Sequence, residues 1–233
     1  MKAAFVTGLR ETQIRDIPIP EIKKDEVLIK VKTVGVCGSD LHVFQGTHAF
    51  RKPPVILGHE IAGEVSQIGE EVKKFKVGDR VTINPSVMCY SCNQCKNGLI
   101  NLCENRRVPG TESWIGTFVE YFPAPESVVY PIESGISYPV ATLTEPLAVA
   151  MHILRQIKSA GKQSMAIIGC GTIGILTLFL ARQQGYREIL CCDPAPYNRE
   201  MAMKLGAKCA INPIQDDPVQ AAYTLTGGQG VDV

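Results

Sequence analysis

The sequence has almost no excess charge: 24 lysines and arginines are set against 23 aspartates and glutamates, a formal net charge of +1. This balance gives no electrostatic basis for binding nucleic acid or an anionic membrane surface. The sequence also lacks any apolar run approaching the ~20 residues that a membrane-spanning helix needs. Its first residues lack the apolar segment of an export signal. We therefore expect a cytoplasmic protein with neither a membrane nor a nucleic-acid partner.

The nine cysteines are an odd number without an export signal, which argues against a secreted disulfide scaffold. Four of them have the spacing Cys89-x2-Cys92-x2-Cys95-x7-Cys103. Four thiolates at this spacing, in a loop with little hydrophobic content, predict a closed tetrahedral zinc site that holds the loop together. Disulfides or a redox pair are the alternatives. A zinc ribbon that binds nucleic acid is another, and the near-zero net charge disfavours it.

A second group of polar side chains lies next to strand-like runs. Cys37-Gly38-Ser39-Asp40-Leu41-His42 follows the alternating run 27–34, and Gly58-His59-Glu60 precedes another such run. Glu145 is the only charged residue between positions 140 and 151, and a buried acid needs a partner. Thiolate, imidazole and carboxylate form the mixed ligand set of an open, catalytic zinc site. The alternatives are a small buried cysteine and a hydrogen-bonded surface histidine.

A third pattern predicts a dinucleotide site. The apolar run 164–168 leads into Gly169-Cys170-Gly171-Thr172-Ile173-Gly174, and a helical pattern and a second strand ending in Asp193 follow. This is the order of a Rossmann unit: a strand, a glycine-rich turn, a helix, a second strand and an acidic residue. In such a unit the helix N-terminus binds the pyrophosphate of the dinucleotide. Asp193 would accept both ribose hydroxyls and favours NAD over NADP. Asn198 and Arg199 lie close by; an arginine beside the ribose favours NADP, although there it is expected to replace the acid.

In order and separation, five motifs resemble those of the zinc-dependent medium-chain alcohol dehydrogenases, in their polyol, sorbitol and threonine dehydrogenase branch. The motifs lie at 37–42, 58–60, 89–103, 144–146 and 169–174. The resemblance covers essentially the whole chain. It implies an α/β plus β fold: a GroES-like, partly open β-barrel catalytic domain at 1–155, then a Rossmann doubly wound parallel sheet at 156–233. Members of the family continue with a second mononucleotide half and a return segment, so we expect a chain truncated after about half of the Rossmann sheet.

The resemblance also implies an activity: hydride transfer from a secondary alcohol (a polyol, sugar acid or amino alcohol) to NAD, giving a ketone. Zn²⁺ is implied as catalytic metal, held by Cys37 and His59 with Glu60 and Glu145 competing for the remaining position, and as structural metal in the cysteine lobe. Ser39 and His42 are implied to relay the proton to solvent, and Glu60 is a catalytic candidate too. A homo-oligomer, dimer or tetramer, is expected. The alternative is a non-catalytic zinc-binding protein, because 233 residues alone are expected to give negligible NADH formation.

Residue patterns also predict the secondary structure. In the first part of the chain, strands are expected at 1–7, 27–34, 61–68, 80–84 and 117–121. After Pro139, helices are expected at 141–157, 175–184, 197–206 and 217–226. These helices alternate with strands expected at 164–168, 188–192, 208–211 and 230–233. His152 is expected to be a core or supporting residue rather than a metal ligand.

Overall fold

The computed structural model describes residues 1–111, 113–158 and 163–233. They form two compact units, Met1–Glu145 and Pro146–Val233. The first unit is built on antiparallel β-sheets, and the second alternates helices with a parallel sheet. Within the residues described, no helix is both long and apolar enough to cross a membrane.

The first unit contains a three-stranded sheet in the order β2-β1-β4 and a five-stranded sheet in the order β7-β3-β5-β6-β8. Its strands are β1 (Lys2–Gly8), β2 (Glu11–Asp16), β3 (Glu26–Gly35), β4 (Val55–Ile56), β5 (Glu60–Ile68), β6 (Arg80–Ile83), β7 (Tyr121–Pro125) and β8 (Val129–Pro131). Its helices are α1 (Gly38–Phe44), α2 (Asn93–Lys96) and α3 (Tyr138–Thr142), with single 3₁₀ turns at Ile100–Leu102 and Glu126–Val128. Inward-facing residues of the strands, such as Ile29, Val65 and Phe122, form its core.

The second unit is a three-stranded parallel sheet in the order β11-β10-β9. Its elements are α4 (Thr144–Gln156), which begins just before the unit does, β9 (Ser164–Ile168), α5 (Thr172–Gln183), β10 (Glu188–Cys192), α6 (Pro196–Lys204), β11 (Cys209–Ile211) and α7 (Pro218–Leu225). Leu178 of α5 and Ile189 of β10 are fully buried in its core. Parallel strands joined through helices are the arrangement that the sequence predicts for this part.

Of the differences between the predicted secondary structure and the fold, four have a clear physical reason. The strand expected at 117–121 begins only at Tyr121, because the backbone of Phe118 bonds instead to Leu57 and Ala4. Strand β2 was not predicted, because all six of its residues are exposed and give no alternating pattern. The helix expected at 141–157 is two helices that meet at Leu143.

The fourth difference concerns residues 230–233, which form no strand. Asp232 instead accepts hydrogen bonds from the backbone N–H groups of Gln163 and Ser164, at 3.2 and 2.9 Å. The carbonyl of Val233 accepts one more, from Ala166 of β9, at 2.8 Å. The segment is therefore attached to β9 mainly through a side chain and does not form a ladder.

Candidate metal and dinucleotide sites

Cys37, His59 and Glu60 come together because β3 and β5 are neighbours. Gly35, at the end of β3, pairs with Glu60, at the start of β5. Cys37 follows as the residue that precedes α1, and His59 directly precedes β5. One ligand atom from each of the three residues lies within 4.8 Å of the others. The thiolate, imidazole and carboxylate thus fit a zinc ion in chemistry as well as in position.

Gly35 is required for this arrangement. A Cβ atom at position 35 would lie 1.9 Å from Oε2 of Glu60 and 3.0 Å from its Cβ. Side chains of directly opposed residues on adjacent strands face the same side of the sheet. Any residue other than glycine would therefore push the Glu60 carboxylate out of the cluster.

Asp40 supports the cluster from behind. This residue is almost fully buried, at 3% exposure. Its carboxylate accepts hydrogen bonds from the backbone N–H of Cys37 at 3.0 Å and of Gly58 at 3.3 Å. Nδ1 of His59 is buried, has no hydrogen-bond partner among the described residues and lies 3.9 Å from Asp40. Asp40 thus places a negative charge beside the imidazole without a hydrogen bond to it.

The electrostatics of the cluster also suit a cation. The hydrogen bond with His59 is the largest cause that lowers the pKa of Cys37, and Ser39 lowers it further. Burial works against protonation of His59, but Cys37 and the charge of Asp40 raise its pKa overall. Burial raises the pKa of Glu60, and the nearby Glu145 adds to this effect. Several acidic groups thus crowd one imidazole, an environment that a divalent cation neutralises.

Glu145 and Ser39 lie on the wall of a cleft of about 440 Å³ that His59 also lines. Glu145 is half-buried and outside the three-residue cluster; burial raises the pKa of its carboxyl group and the charge of His59 opposes that rise. Glu60 is therefore the carboxylate within the cluster, and Glu145 is available from the cleft wall. Which of them binds a metal stays a prediction.

The predicted proton relay is only partly assembled. His42 is exposed, and its Nδ1 lies 3.1 Å from the hydroxyl of Thr47. Across the described part of the chain, no hydrogen bond joins Ser39 to His42. His152 was expected to be a core or supporting residue rather than a metal ligand. It is exposed on α4, with Nε2 3.4 Å from Gln156, so a position in the core is wrong. The apolar face of α4 is formed by other residues, including Ala150 and Leu154.

The four cysteines of the lobe form the second cluster, with one sulfur from each within 4.8 Å of the others. Backbone N–H groups point at two of the sulfurs: Cys92 donates to Cys89 at 3.3 Å, and Cys89 donates to Cys103 at 3.4 Å. Hydrogen bonds from Ser91 lower the pKa of Cys89 to about 5, while burial raises the pKa of Cys95 to about 12. All four thiols are free. Thiols converging on one point, with donors that stabilise the thiolate form, fit a closed zinc site.

Replacing Cys95 with serine is expected to remove one zinc ion per chain and to destabilise the lobe. A loss of about 2 kcal/mol would lower the melting temperature by roughly 4–8 °C in a chain of this size. Elemental analysis and a melting curve measure the two effects. Cys209→Ser is the control, because Cys209 lies on β11, outside the lobe. Unchanged zinc content in Cys95→Ser would show that the lobe holds no metal.

The turn after β9 has the geometry that binds a pyrophosphate. Gly169 has a φ of +92°, a conformation that favours glycine. Gly174 packs so closely that an added Cβ would lie 1.9 Å from the Gly169 carbonyl oxygen. At Gly171, directly before α5, an added Cβ would meet nothing within 4 Å, so the space beside this end of the helix is open. In the first turn, Thr172 is exposed and Ile173 is half-buried. A phosphate can thus approach the helix N-terminus closely.

Asp193, the residue directly after β10, lies beside this turn. Its carboxylate, 6% exposed, accepts hydrogen bonds of 2.8 Å from the backbone N–H groups of Cys170 and Ala195. Burial raises its pKa, but these bonds, the Asn198 side chain and the charge of Arg199 lower the pKa overall. A carboxylate has about four lone-pair sites, so these three donors leave one site for a further donor. The Arg199 guanidinium donates to the carbonyls of Asp193 and Pro194, both at 2.8 Å, and is thus held by the main chain.

Three residues of the cleft were not singled out from the sequence: His48, Arg51 and Arg106. None belongs to a spaced motif. The two segments that carry them, around positions 48–51 and 106–111, are far apart in the chain and meet only in the fold. Their one sequence signal is position: His48 and Arg51 lie between the motifs at 37–42 and 58–60, and Arg106 follows the cysteine lobe.

Two family models match the chain. The model described as "Alcohol dehydrogenase GroES-like domain" matches residues 23–134, and the model described as "Zinc-binding dehydrogenase" matches residues 172–233. Together they confirm the predicted fold class, a GroES-like domain followed by a parallel sheet of the Rossmann type.

Similar proteins have the same combination. The chain is 40% identical to sorbitol dehydrogenase of Bacillus subtilis, over 100% of this chain and 67% of that protein. It is 40% identical to L-threonine 3-dehydrogenase of Caldanaerobacter subterraneus, over 92% of this chain and 62% of that protein. A putative zinc-binding dehydrogenase of Sinorhizobium meliloti, solved bound to NADP, superposes with a TM-score of 0.86 at 34% identity, covering 94% of this chain and 64% of that one. The chain thus spans roughly two thirds of the length of these relatives, and it belongs to the zinc-dependent medium-chain alcohol dehydrogenase family.

Proposed function

We propose that the protein is a zinc-dependent oxidoreductase that transfers hydride from a secondary alcohol to NAD and forms a ketone. The observation that carries this proposal is the cluster of Cys37, His59 and Glu60, whose histidine lines a cleft of about 440 Å³. A volume of this size suits a small molecule rather than a polymer. The relatives named for sorbitol and threonine dehydrogenation support an alcohol as substrate.

In this proposal Cys37 and His59 hold the catalytic zinc, with Glu60 or Glu145 as the third protein ligand. When bound, zinc supplies the Lewis acidity that makes a hydroxyl group more acidic. Asp40 places a negative charge 3.9 Å from Nδ1 of His59, which stabilises positive charge on the imidazole. The four cysteines of the lobe hold a second, structural zinc.

The remaining polar residues handle the proton of the alcohol. Ser39 lines the cleft and can accept a hydrogen bond from a substrate hydroxyl. His42 is exposed and can release a proton to solvent, with Thr47 fixing the orientation of its ring. Transfer between Ser39 and His42 is part of the proposal, since no direct hydrogen bond connects them in the described structure.

NAD rather than NADP is proposed because of Asp193. A carboxylate at the end of β10 attracts the two ribose hydroxyls and repels a 2′-phosphate. Arg199, the residue that could attract that phosphate, is engaged with two main-chain carbonyls. The Sinorhizobium relative was solved with NADP, so the cofactor has to be measured for this protein and cannot be taken from the family.

The proposal predicts zinc-dependent NADH formation. Purified protein of the length of its relatives, with both zinc sites filled, is offered a polyol, a sugar acid and an amino alcohol, with NAD or NADP, because 233 residues alone are expected to form negligible NADH. Reduced cofactor is followed by absorbance. We expect NADH from at least one alcohol, loss of the activity on treatment with a chelator, and recovery on adding zinc. No reduced cofactor from any alcohol, with both zinc sites filled, would favour a non-catalytic zinc-binding protein. Equal rates with NADP would contradict the role given to Asp193.

A further inference from the structure

The cleft beside the metal cluster also contains positive charge that the proposed mechanism does not use. Arg51 and Arg106 line it together with His59 and Glu145. Arg51 is half-buried, and its Nη2 donates a hydrogen bond of 3.0 Å to the carbonyl of Pro109. The guanidinium is thus fixed in direction, with further N–H groups left for a ligand.

His48 adds a third hydrogen-bond donor to this wall of the cleft. Its Nδ1 accepts hydrogen bonds from the backbone N–H groups of Phe50 at 3.2 Å and Arg51 at 2.9 Å. The proton of the neutral ring is therefore on Nε2, which is a donor. Burial lowers the pKa of His48, and the charge of Arg51 lowers it further, so the ring is a neutral donor beside a cation.

Neither arginine has an acidic partner within the part of the chain that the structure describes: the ion pairs there involve Lys2, Lys23, Lys24, Lys32 and His59. Glu145 is the one carboxylate among the described residues of the cleft wall. Two guanidinium groups on a concave surface, with no acidic partner among the described residues, are typical of sites that recognise carboxylate or phosphate, because the planar fork matches these oxyanions.

We propose that Arg51 and Arg106 bind an oxyanionic group of the substrate, so that the preferred alcohol is a hydroxylated chain with a carboxylate or phosphate, above all a sugar acid, and not a neutral polyol. This inference rests on the proposed function. The reaction breaks the C–H and O–H bonds of one secondary carbinol. Hydride goes to NAD, the proton goes to solvent, and the oxyanionic group is unchanged. The role of the oxyanionic group is to hold the substrate so that one of its carbinol carbons faces the metal ligands.

The inference is tested by binding to the zinc-loaded protein. Calorimetry compares gluconate, sorbitol and sorbitol 6-phosphate, which share a six-carbon chain and differ in the charge at one end. We expect gluconate to bind more tightly than sorbitol and its affinity to fall with rising salt. Arg51→Gln and Arg106→Gln should each weaken gluconate binding by about 10- to 100-fold, the range for a lost hydrogen bond to a charged group, and change sorbitol binding by less than about twofold.

Lys52→Gln is the matched control. It removes the same charge from the adjacent residue, but Lys52 donates to the carbonyl of His48 and does not line the cleft. Gluconate binding should be nearly unchanged in this variant. If the Pro109 contact makes Arg51→Gln unstable in a melting curve, the exposed Arg106 carries the test.

The outcomes separate the two proposals. Tighter binding of sorbitol 6-phosphate than of gluconate supports the site and identifies phosphate as the group. Equal binding of gluconate and sorbitol, or equal losses for both in the arginine variants, would overturn the inference, even if the protein forms NADH from neutral polyols. Selective binding of gluconate without NADH formation from any alcohol would retain the anion site and refute the proposed function.

Discussion

Replacing His59 with alanine is expected to lower turnover by more than about 10²-fold. Loss of a residue that only hydrogen-bonds to a metal ligand already lowers metal affinity or activity by about 10- to 100-fold, and this change removes a proposed ligand itself. The ring is mostly buried, at 15% exposure. Zinc content should fall by up to one ion per chain. NADH binding, followed by fluorescence, should persist, because the glycine turn belongs to the other compact unit.

Asp40→Asn provides the graded comparison for this experiment, since it keeps the shape of the supporting side chain and removes its charge. It should reduce turnover less than His59→Ala does. Glu60→Gln and Glu145→Gln, measured in parallel, show which carboxylate matters more. Activity within tenfold of the parent protein in His59→Ala would refute the assignment of the catalytic metal.

Replacing Gly174 with alanine is expected to abolish cofactor binding and to lower the stability of the second unit. The new methyl group would lie 1.9 Å from the carbonyl oxygen of Gly169, so α5 or the turn has to move. Overpacking of this kind costs about 1–3 kcal/mol. A melting curve and NADH fluorescence titration measure the two effects separately.

Gly171→Ala distinguishes a steric block from general damage. An added Cβ at position 171 meets nothing within 4 Å, and its φ of −67° suits alanine. The melting temperature should therefore stay unchanged while NADH binding is lost, because the methyl group occupies the approach of the pyrophosphate. Normal NADH binding by Gly171→Ala would mean that no pyrophosphate binds at this turn.

The sequence was most informative where chemistry and spacing coincide. The cysteine lobe and the pair Cys37 and His59 were predicted to converge, and they do. The glycine turn followed by α5 and Asp193 has the predicted order. Their roles stay predictions, but their proximity follows from residue types that seldom occur together for other reasons.

Other features depend on contacts that no local pattern records. The need for glycine at position 35 follows from strand register, which places Glu60 directly opposite. The position of Asp40 behind His59 depends on how α1 packs. Arg51 and Arg106 line one cleft because two segments that are distant in the chain form its wall. The break at Leu143 was not predicted, because the helical residue pattern runs through it; there the hydroxyl of Thr144 bonds to the carbonyl of Ala141.

The four-cysteine lobe has a consequence for how the protein responds to its surroundings. Its segment carries little apolar core of its own: of its four cysteines only Cys95 is buried, and Leu99, Ile100 and Leu102 are exposed. An ion bound only by the folded lobe stabilises it by mass action, so each tenfold fall in the concentration of unbound zinc lowers that stabilisation by about 1.4 kcal/mol. The fraction of folded lobe would then fall as the zinc concentration in the cell falls. The first effect of zinc shortage would be local unfolding and proteolysis around residues 89–103.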